Sequence, residues 1–261
     1  MINNKYKIER YLNQGTFGIV YKCSYNNKDY AVKCDGDNTT DYKLLKYEAH
    51  IYKELRSINN ISRLIDFFLL DNKYYMVLDY YLLNLMDFKY RFFYSACYKE
   101  RLVYIISKLI DIMRDIHNRG IVHRDLKPPN ICLNKNLEPF IIDFGMAKKI
   151  IINNQHIMER NIHNIIGSPN YISLNVVNLV EPSRRDDMES IIYIIIYMLL
   201  DERDYLKYTN NTLHTQKSLA TITDLIPTLK IPLKIDSVLL YIRKLNFSQT
   251  PNYDHIKKLY V

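Results

Sequence analysis

Over the first eighty residues, apolar positions recur mostly at the two-residue period of strands. Segments 6–12 and 19–25 flank a turn that holds Gly15 and Gly18, and DYAVKC at 29–34 reads as a third short strand. Segments 62–70 and 73–79 read as two more, joined at the turn pair Asp71-Asn72. Between these strands, Leu44, Ile51 and Leu55 share one face of a helix predicted over 41–57. From about residue 84 the period becomes helical. Leu102, Ile105, Ile106, Leu109, Met113 and Ile116 form a stripe through 99–118 that stops at Gly120. Two short apolar runs follow, at 131–133 and 140–142, and then an irregular stretch to about 183. Helices are expected at 184–200, 233–246 and 252–259. The pattern predicts an α+β chain forming one domain over 1–261, with a strand-rich lobe over about 1–81 and a larger helical lobe over about 82–261.

Composition narrows the possible functions. The chain has 261 residues, 48% of them hydrophobic and 25% charged, which is ordinary for a globular protein and excludes a disordered tail or a collagen. It has only 6 glycines, where average usage would give about 18. Heavy use of Ile, Asn, Lys and Tyr fits an AT-rich genome, viral or microbial. The net charge of +8 suits a basic enzyme or a partner of phosphates and carboxylates. No dense Lys/Arg block or matching motif argues for specific nucleic-acid binding. The apolar run IIYIIIYMLL at 191–200 is too short to span a membrane, so it reads as a buried helix. Cys23, Cys34, Cys97 and Cys132 form neither a C-x-x-C pair nor a finger pattern, and MINNKYKIERYLNQ carries no apolar leader. The expectation is a reduced compartment, the cytoplasm, or for a viral protein the host cytoplasm or the virion.

Several segments carry chemistry. In LNQGTFGIV at 12–20, Gly15 and Gly18 would let the backbone approach a phosphate, although two glycines in a hairpin are more often simply a turn. Lys33 of AVK would ordinarily be a solvated strand residue, but Glu48 falls on the apolar face of the predicted helix. A carboxylate there needs a cation, and Lys33 is the obvious one, with its ammonium then aimed at bound phosphates. HRDLKPPN at 123–130 and IDFG at 142–145 are the most specific signals. Phosphoryl transfer needs one carboxylate to orient the attacking hydroxyl, and an amide plus a second carboxylate to hold magnesium. Asp125 fits the first role, Asn130 and Asp143 fit the second, and Lys127 can neutralise the transferring group.

With these pieces in this order, the chain resembles eukaryotic-type protein kinases from about residue 6 to its end. Among them it is most similar to the casein kinase 1 family, through QHIMER at 155–160, GSPNYIS at 167–173 with Asn175, SRRDDMES at 183–190, and YIRKLNFSQTPNYDHIKKLY at 241–260. Vaccinia-related kinases come second, because they usually have Gly at the position of Asp186. The resemblance implies the bilobal kinase fold and transfer of the ATP γ-phosphoryl group, with Mg2+, to Ser or Thr of protein substrates. It assigns nucleotide contacts to Leu12, Gly15, Thr16, Phe17, Gly18, Val20, Ala31, Lys33 and Leu133, with Leu78 as gatekeeper and Asp79–Tyr81 as hinge. It also places Ser168 beside Asp125 and Lys127, and makes Asp187 the brace of the catalytic loop. A monomer acting on acidic or phospho-primed sites is expected, with no membrane partner.

The departures bear on activity. Asn13 replaces the first loop glycine, Pro129 replaces an acidic residue beside Asn130, and DERDYLKY at 201–208 rewrites a segment that is usually hydrophobic. They leave open an alternative, a nucleotide-binding pseudokinase scaffold. No Ser, Thr or Tyr occurs between Gly145 and Gly167, so the reading is an enzyme active without phosphorylation of that loop. Arg184 and Arg185 are either an anion site for substrate acids or a structural pair bonding backbone carbonyls.

Overall fold

Asparagine and aspartate carry the turns that glycine would otherwise make. Asn26-Asn27, Asp71-Asn72 and Asn153-Asn154 all have both residues at positive φ, between 48° and 61°, as a two-residue type I′ hairpin requires. Asn and Asp tolerate that region better than other side-chain-bearing residues. The computed structural model describes residues 1–15, 18–35, 42–229 and 234–258. They form two compact units: Met1–Leu82 with Phe140–Gly145, and Leu83–Pro139 with Met146–Val261.

In the first unit, β1 (Lys7–Gly15), β2 (Gly18–Tyr25), β3 (Lys28–Cys34), β4 (Leu64–Leu70) and β5 (Lys73–Asp79) form one antiparallel sheet in the order β1-β2-β3-β5-β4. Register assigns its faces, because directly paired residues point to the same side. Val20 pairs with Lys33, Lys33 with Met76, and Ala31 with Leu78, so these five share one face. The opposite face carries Cys23, Val32 and Val77, packed with Tyr6, Tyr21, Tyr25, Tyr30 and Tyr75 into a tyrosine-rich core. Helix α1 (Tyr42–Glu54) completes the unit and buries Leu45, Glu48, Ile51 and Tyr52, with Leu55 buried just beyond its end.

The second unit opens with β6 (Leu83–Asn84) and α2 (Leu85–Phe92), which is capped by Asn84 accepting from the Asp87 N–H at 2.9 Å. The long α3 (Tyr98–Asn118) buries the predicted stripe. It leads to β7 (Ile121–Val122) and β8 (Ile131–Leu133), the latter paired with β6. The next strand, β9 (Pro139–Ile141), leads back into the first unit, where Ile141 bridges Ile61. Then come β10 (Lys148–Lys149), paired with β7, and the hairpin β11 (Ile151–Ile152) and β12 (Gln155–His156). Helices α4 (Leu174–Val177), α5 (Arg184–Leu199), α6 (Glu202–Thr209), α7 (Leu213–Gln216), α8 (Leu219–Leu229), α9 (Ile235–Arg243) and α10 (Tyr253–Lys258) follow. The apolar run at 191–200 falls in α5 and at its C-cap, and is almost wholly buried. No helix among the described residues is long and apolar enough to cross a membrane.

Four expectations change. The helix expected over 41–57 ends at Glu54, and Leu45 rather than Leu44 is its fully buried leucine. The stretch before residue 183 is not irregular throughout, since its short ladders and α4 tie it down locally. Helices α6 to α8 were not anticipated. The charged α6 is capped by Asp201, whose carboxylate accepts the Asp204 N–H at 2.8 Å. Strand β4 starts at Leu64 rather than Ser62, whose N–H goes instead to the Ile141 carbonyl.

Candidate active site

Each unit carries its own cluster of the predicted site residues. In the first, Lys33 Nζ lies 2.8 Å from Glu48 Oε2 and 2.8 Å from Asp143 Oδ1. Lys33 and Glu48 are 8% and 1% exposed. Burial alone would discharge the lysine, but the two carboxylates outweigh it and hold its pKa above the ordinary value. Burial raises the pKa of Glu48, and Lys33 opposes that rise. Asp143 has φ +64°, a strained conformation for a non-glycine residue, and its N–H donates to the Tyr52 hydroxyl at 3.0 Å. Phe144 is fully buried edge-on against Tyr52, with ring centroids 5.0 Å apart. Helix α1 therefore supplies both the counter-charge for Lys33 and an anchor for Asp143.

In the second unit, Asp125 Oδ1 accepts the Ser168 N–H at 2.9 Å and the Ser168 hydroxyl at 2.7 Å, while Oδ2 accepts from Lys127 Nζ at 2.7 Å. Lys127 Nζ also donates to Ser168 Oγ at 3.1 Å. Asn130 Nδ2 donates to the Asp125 carbonyl at 3.0 Å, which fixes the loop between them. The loop itself hangs on α5. Asp187 accepts the N–H of His123 at 2.8 Å and that of Arg124 at 2.9 Å, and lies 3.0 Å from His117 Nε2. Burial opposes ionisation of Asp187, but these donors hold its pKa below the ordinary carboxylate value. Arg124 sits at φ +68°, and its carbonyl lies where a side chain at residue 167 would have to go: a Cβ on Gly167 would fall 2.5 Å from that oxygen. Gly167, at φ +97°, therefore permits the close approach that presents Ser168 to Asp125.

A family model described as a protein kinase domain matches residues 6–247. The chain belongs to the protein kinase family. The strand-rich first unit and helical second unit are those of the bilobal kinase fold.

The other predicted contacts of this kinase distribute as follows. Val20, Ala31, Lys33 and Leu78 lie on the face of the sheet opposite the tyrosine core. Leu12, Gly15 and Gly18 lie in β1 and β2, where Gly15 pairs with Gly18. A Cβ on Gly18 would fall 2.2 Å from the Cys34 carbonyl oxygen, so the fold of β2 onto β3 alone already demands glycine there. Thr16 and Phe17, like Gly36, lie outside the described residues. Asp79 is bound through its carboxylate by Arg63, at 2.7 Å and 3.0 Å, and Tyr81 packs 5.0 Å from Phe140. Leu133 is buried in β8 of the second unit.

A protein kinase domain uses ATP and a divalent metal. Mg2+ is typically held by one or two carboxylates together with substrate phosphates. Among the described residues, no group of three or more His, Cys, Asp or Glu could hold a metal unaided. Asp143 offers a carboxylate that is 32% exposed, and Asn130 keeps an amide oxygen once its nitrogen is committed to Asp125. Each is an oxygen donor of the kind that magnesium takes when it arrives with a nucleotide.

Arg184 donates to the Ser248 carbonyl at 3.2 Å and Arg185 to the Leu245 carbonyl at 2.7 Å and to Glu159 at 3.0 Å. Both guanidiniums bond backbone carbonyls, as the structural reading of the pair expects. Asn13 is not among the residues at positive φ. It lies in β1 and its side chain accepts the Gln14 N–H at 2.8 Å. Pro128 and Pro129 open a single 3-10 turn, Pro128–Asn130, at positions where a missing N–H costs nothing.

Two relationships had escaped the sequence reading. Ser173 and Asn175 both donate to Asp186 Oδ1, at 2.6 Å and 3.0 Å, so three residues noted separately form one hydrogen-bonded unit around a buried carboxylate. Glu189, 1% exposed, accepts from Arg243 at 2.7 Å and from the Leu174 N–H at 3.1 Å. The available signal was a carboxylate inside an otherwise apolar helix pattern, the same signal that singled out Glu48.

Proposed function

We propose that this kinase is an active serine/threonine enzyme of the casein kinase 1 type, acting as a monomeric catalytic domain on protein substrates. The observation that carries the reading is the Asp125–Lys127–Ser168 constellation. A lysine two residues after the catalytic aspartate is held between that carboxylate and a serine hydroxyl, an arrangement suited to a substrate hydroxyl group. Asp125 would accept the proton of the attacking Ser or Thr, and Lys127 would offset charge on the group in transit. Glu48 keeps Lys33 charged for phosphate contact. Asn130 and Asp143 would hold Mg2+, which when bound neutralises phosphate oxygens. The motifs shared with casein kinase 1 enzymes support a preference for acidic or phospho-primed sites.

The test is incorporation of labelled phosphate from ATP into a degenerate peptide array and into casein, followed by phosphoamino-acid analysis, with Asp125→Asn and Asp143→Asn as controls. Phosphoserine and phosphothreonine that both variants abolish are expected. Phosphotyrosine as the main product would overturn the specificity. A wild type as inert as both variants, yet still binding nucleotide, would make the chain a scaffold.

A further inference from the structure

The segment between Gly145 and Gly167 has no hydroxyl to phosphorylate, yet it is tied to the catalytic loop through one buried carboxylate. Glu181, 1% exposed, lies 3.3 Å from Arg124 Nη1, 2.8 Å from Lys148 Nζ and 2.9 Å from Arg160 Nε. These cations come from three places: Arg124 from the His-Arg-Asp turn, Lys148 from β10 just after Asp-Phe-Gly, and Arg160 from the middle of the segment. The backbone repeats the tie. Glu181 N–H donates to the Arg160 carbonyl at 2.9 Å, Ile162 N–H donates to the Leu179 carbonyl at 2.8 Å, and Asn161 bridges Val180. Arg124 also donates through Nε to the Met146 carbonyl, 2.6 Å away. Burial works to protonate Glu181, but the bonds from Lys148 and Arg160 outweigh it and keep the carboxyl ionised below its ordinary range.

A phosphate on such a segment orders it by pairing with the arginine that precedes the catalytic aspartate. We infer that Glu181 is the resident anion that does this work here. It is a positioning residue that acts through Arg124 on Asp125 and through Arg160 on the segment, so the segment stays ordered with no modification. This deepens the reading of an active kinase and rests on it for the catalytic consequence. One carboxylate facing three cations is also the charge balance that an added anion could restore if Glu181 were removed.

The test uses the full chain with Glu181→Gln, which keeps the shape and removes the charge, and Glu181→Ala, which leaves room for an ion. Two readouts are taken: kcat and KM, and the rate of proteolytic nicking within residues 147–166. Glu181→Gln is expected to lose at least tenfold in kcat with KM for ATP nearly unchanged, and to be nicked faster. Inorganic phosphate is expected to raise kcat and slow nicking in Glu181→Ala in a saturable way, with neither effect on the wild type. Wild-type kcat and nicking in folded Glu181→Gln would overturn the inference, as would an Ala variant that melts normally and ignores phosphate. If Glu181→Ala does not fold, Glu181→Gln decides alone. A wild type that transfers no phosphate removes the Ser/Thr kinase reading, and nicking of the variants then still decides this one.

Discussion

The hydroxyl of Ser168 donates to Oδ1 of Asp125 at 2.7 Å, so a hydroxyl of the protein itself already demonstrates the bond that a substrate hydroxyl must make. Oδ1 also holds the Ser168 N–H and Oδ2 holds Lys127, which leaves few of the roughly four acceptor sites of a carboxylate open. Ser168→Ala removes one hydrogen bond to a charged group and the side-chain bridge to Lys127, while the backbone N–H still positions Asp125. Such a bond is worth about 1.5–3 kcal/mol, so kcat is expected to fall about ten- to hundredfold with KM for ATP within about twofold. Ser168→Thr should restore most of it. Steady-state kinetics decide the matter, and an alanine variant as fast as wild type would remove Ser168 from the machinery.

Lys33 is held by two carboxylates, so its removal has a structural as well as a catalytic consequence. Lys33→Met leaves Glu48 buried with no cation, a change that typically costs about 3–5 kcal/mol. Adding Glu48→Gln removes the stranded charge. The double variant is therefore expected to recover much of the stability lost by Lys33→Met in chemical denaturation, yet to remain inactive because the phosphate contact is gone. Independent, additive losses in the two variants would contradict the ion pair.

How far the sequence reached depended on how local each determinant was. Asp71-Asn72 was legible as a hairpin turn because two adjacent residues set its φ angles. Glu48 was legible because a charge in an apolar stripe demands a partner within reach. The end of α1 was missed by three residues because the apolar pattern continues past the hydrogen bonds, with Leu55 buried in the following turn. The role of Glu181 was invisible, since its three cations come from separate segments and no periodicity links them. Arg184 and Arg185 stayed ambiguous for a related reason. A guanidinium bonded to a backbone carbonyl and one facing solvent have the same sequence.

The Asp186 cluster predicts a defect confined to the peptide side. Asp186 holds Ser173 and Asn175 and accepts the Ser183 N–H at 2.7 Å. Burial pushes its pKa up to about 6. Asp186→Gly is expected to free these donors and loosen the segment that follows Ser168, raising KM for peptide severalfold while KM for ATP stays constant. Equal changes in both KM values would point instead to a general loss of fold.

Lys217 predicts a pH dependence of stability. Its side chain is fully buried, with Nζ 3.7 Å from the centre of the Tyr193 ring and 3.3 Å from the Asn170 carbonyl oxygen. Burial lowers its pKa from 10.5 to about 7, with Glu189 opposing the shift and Arg243 adding to it. Between those two pH values the unfolded chain holds a proton that the folded chain has released, so this group's contribution to stability rises with pH across the window and is least favourable below it. Lys217→Met removes the titration. The variant is expected to exceed wild type in stability most at about pH 6, with the advantage shrinking by on the order of 4 kcal/mol as pH approaches about 10. Denaturation of both proteins across that range is the measurement. Parallel stability curves would mean that Lys217 keeps its proton in the folded state, held by Tyr193 and the Asn170 carbonyl.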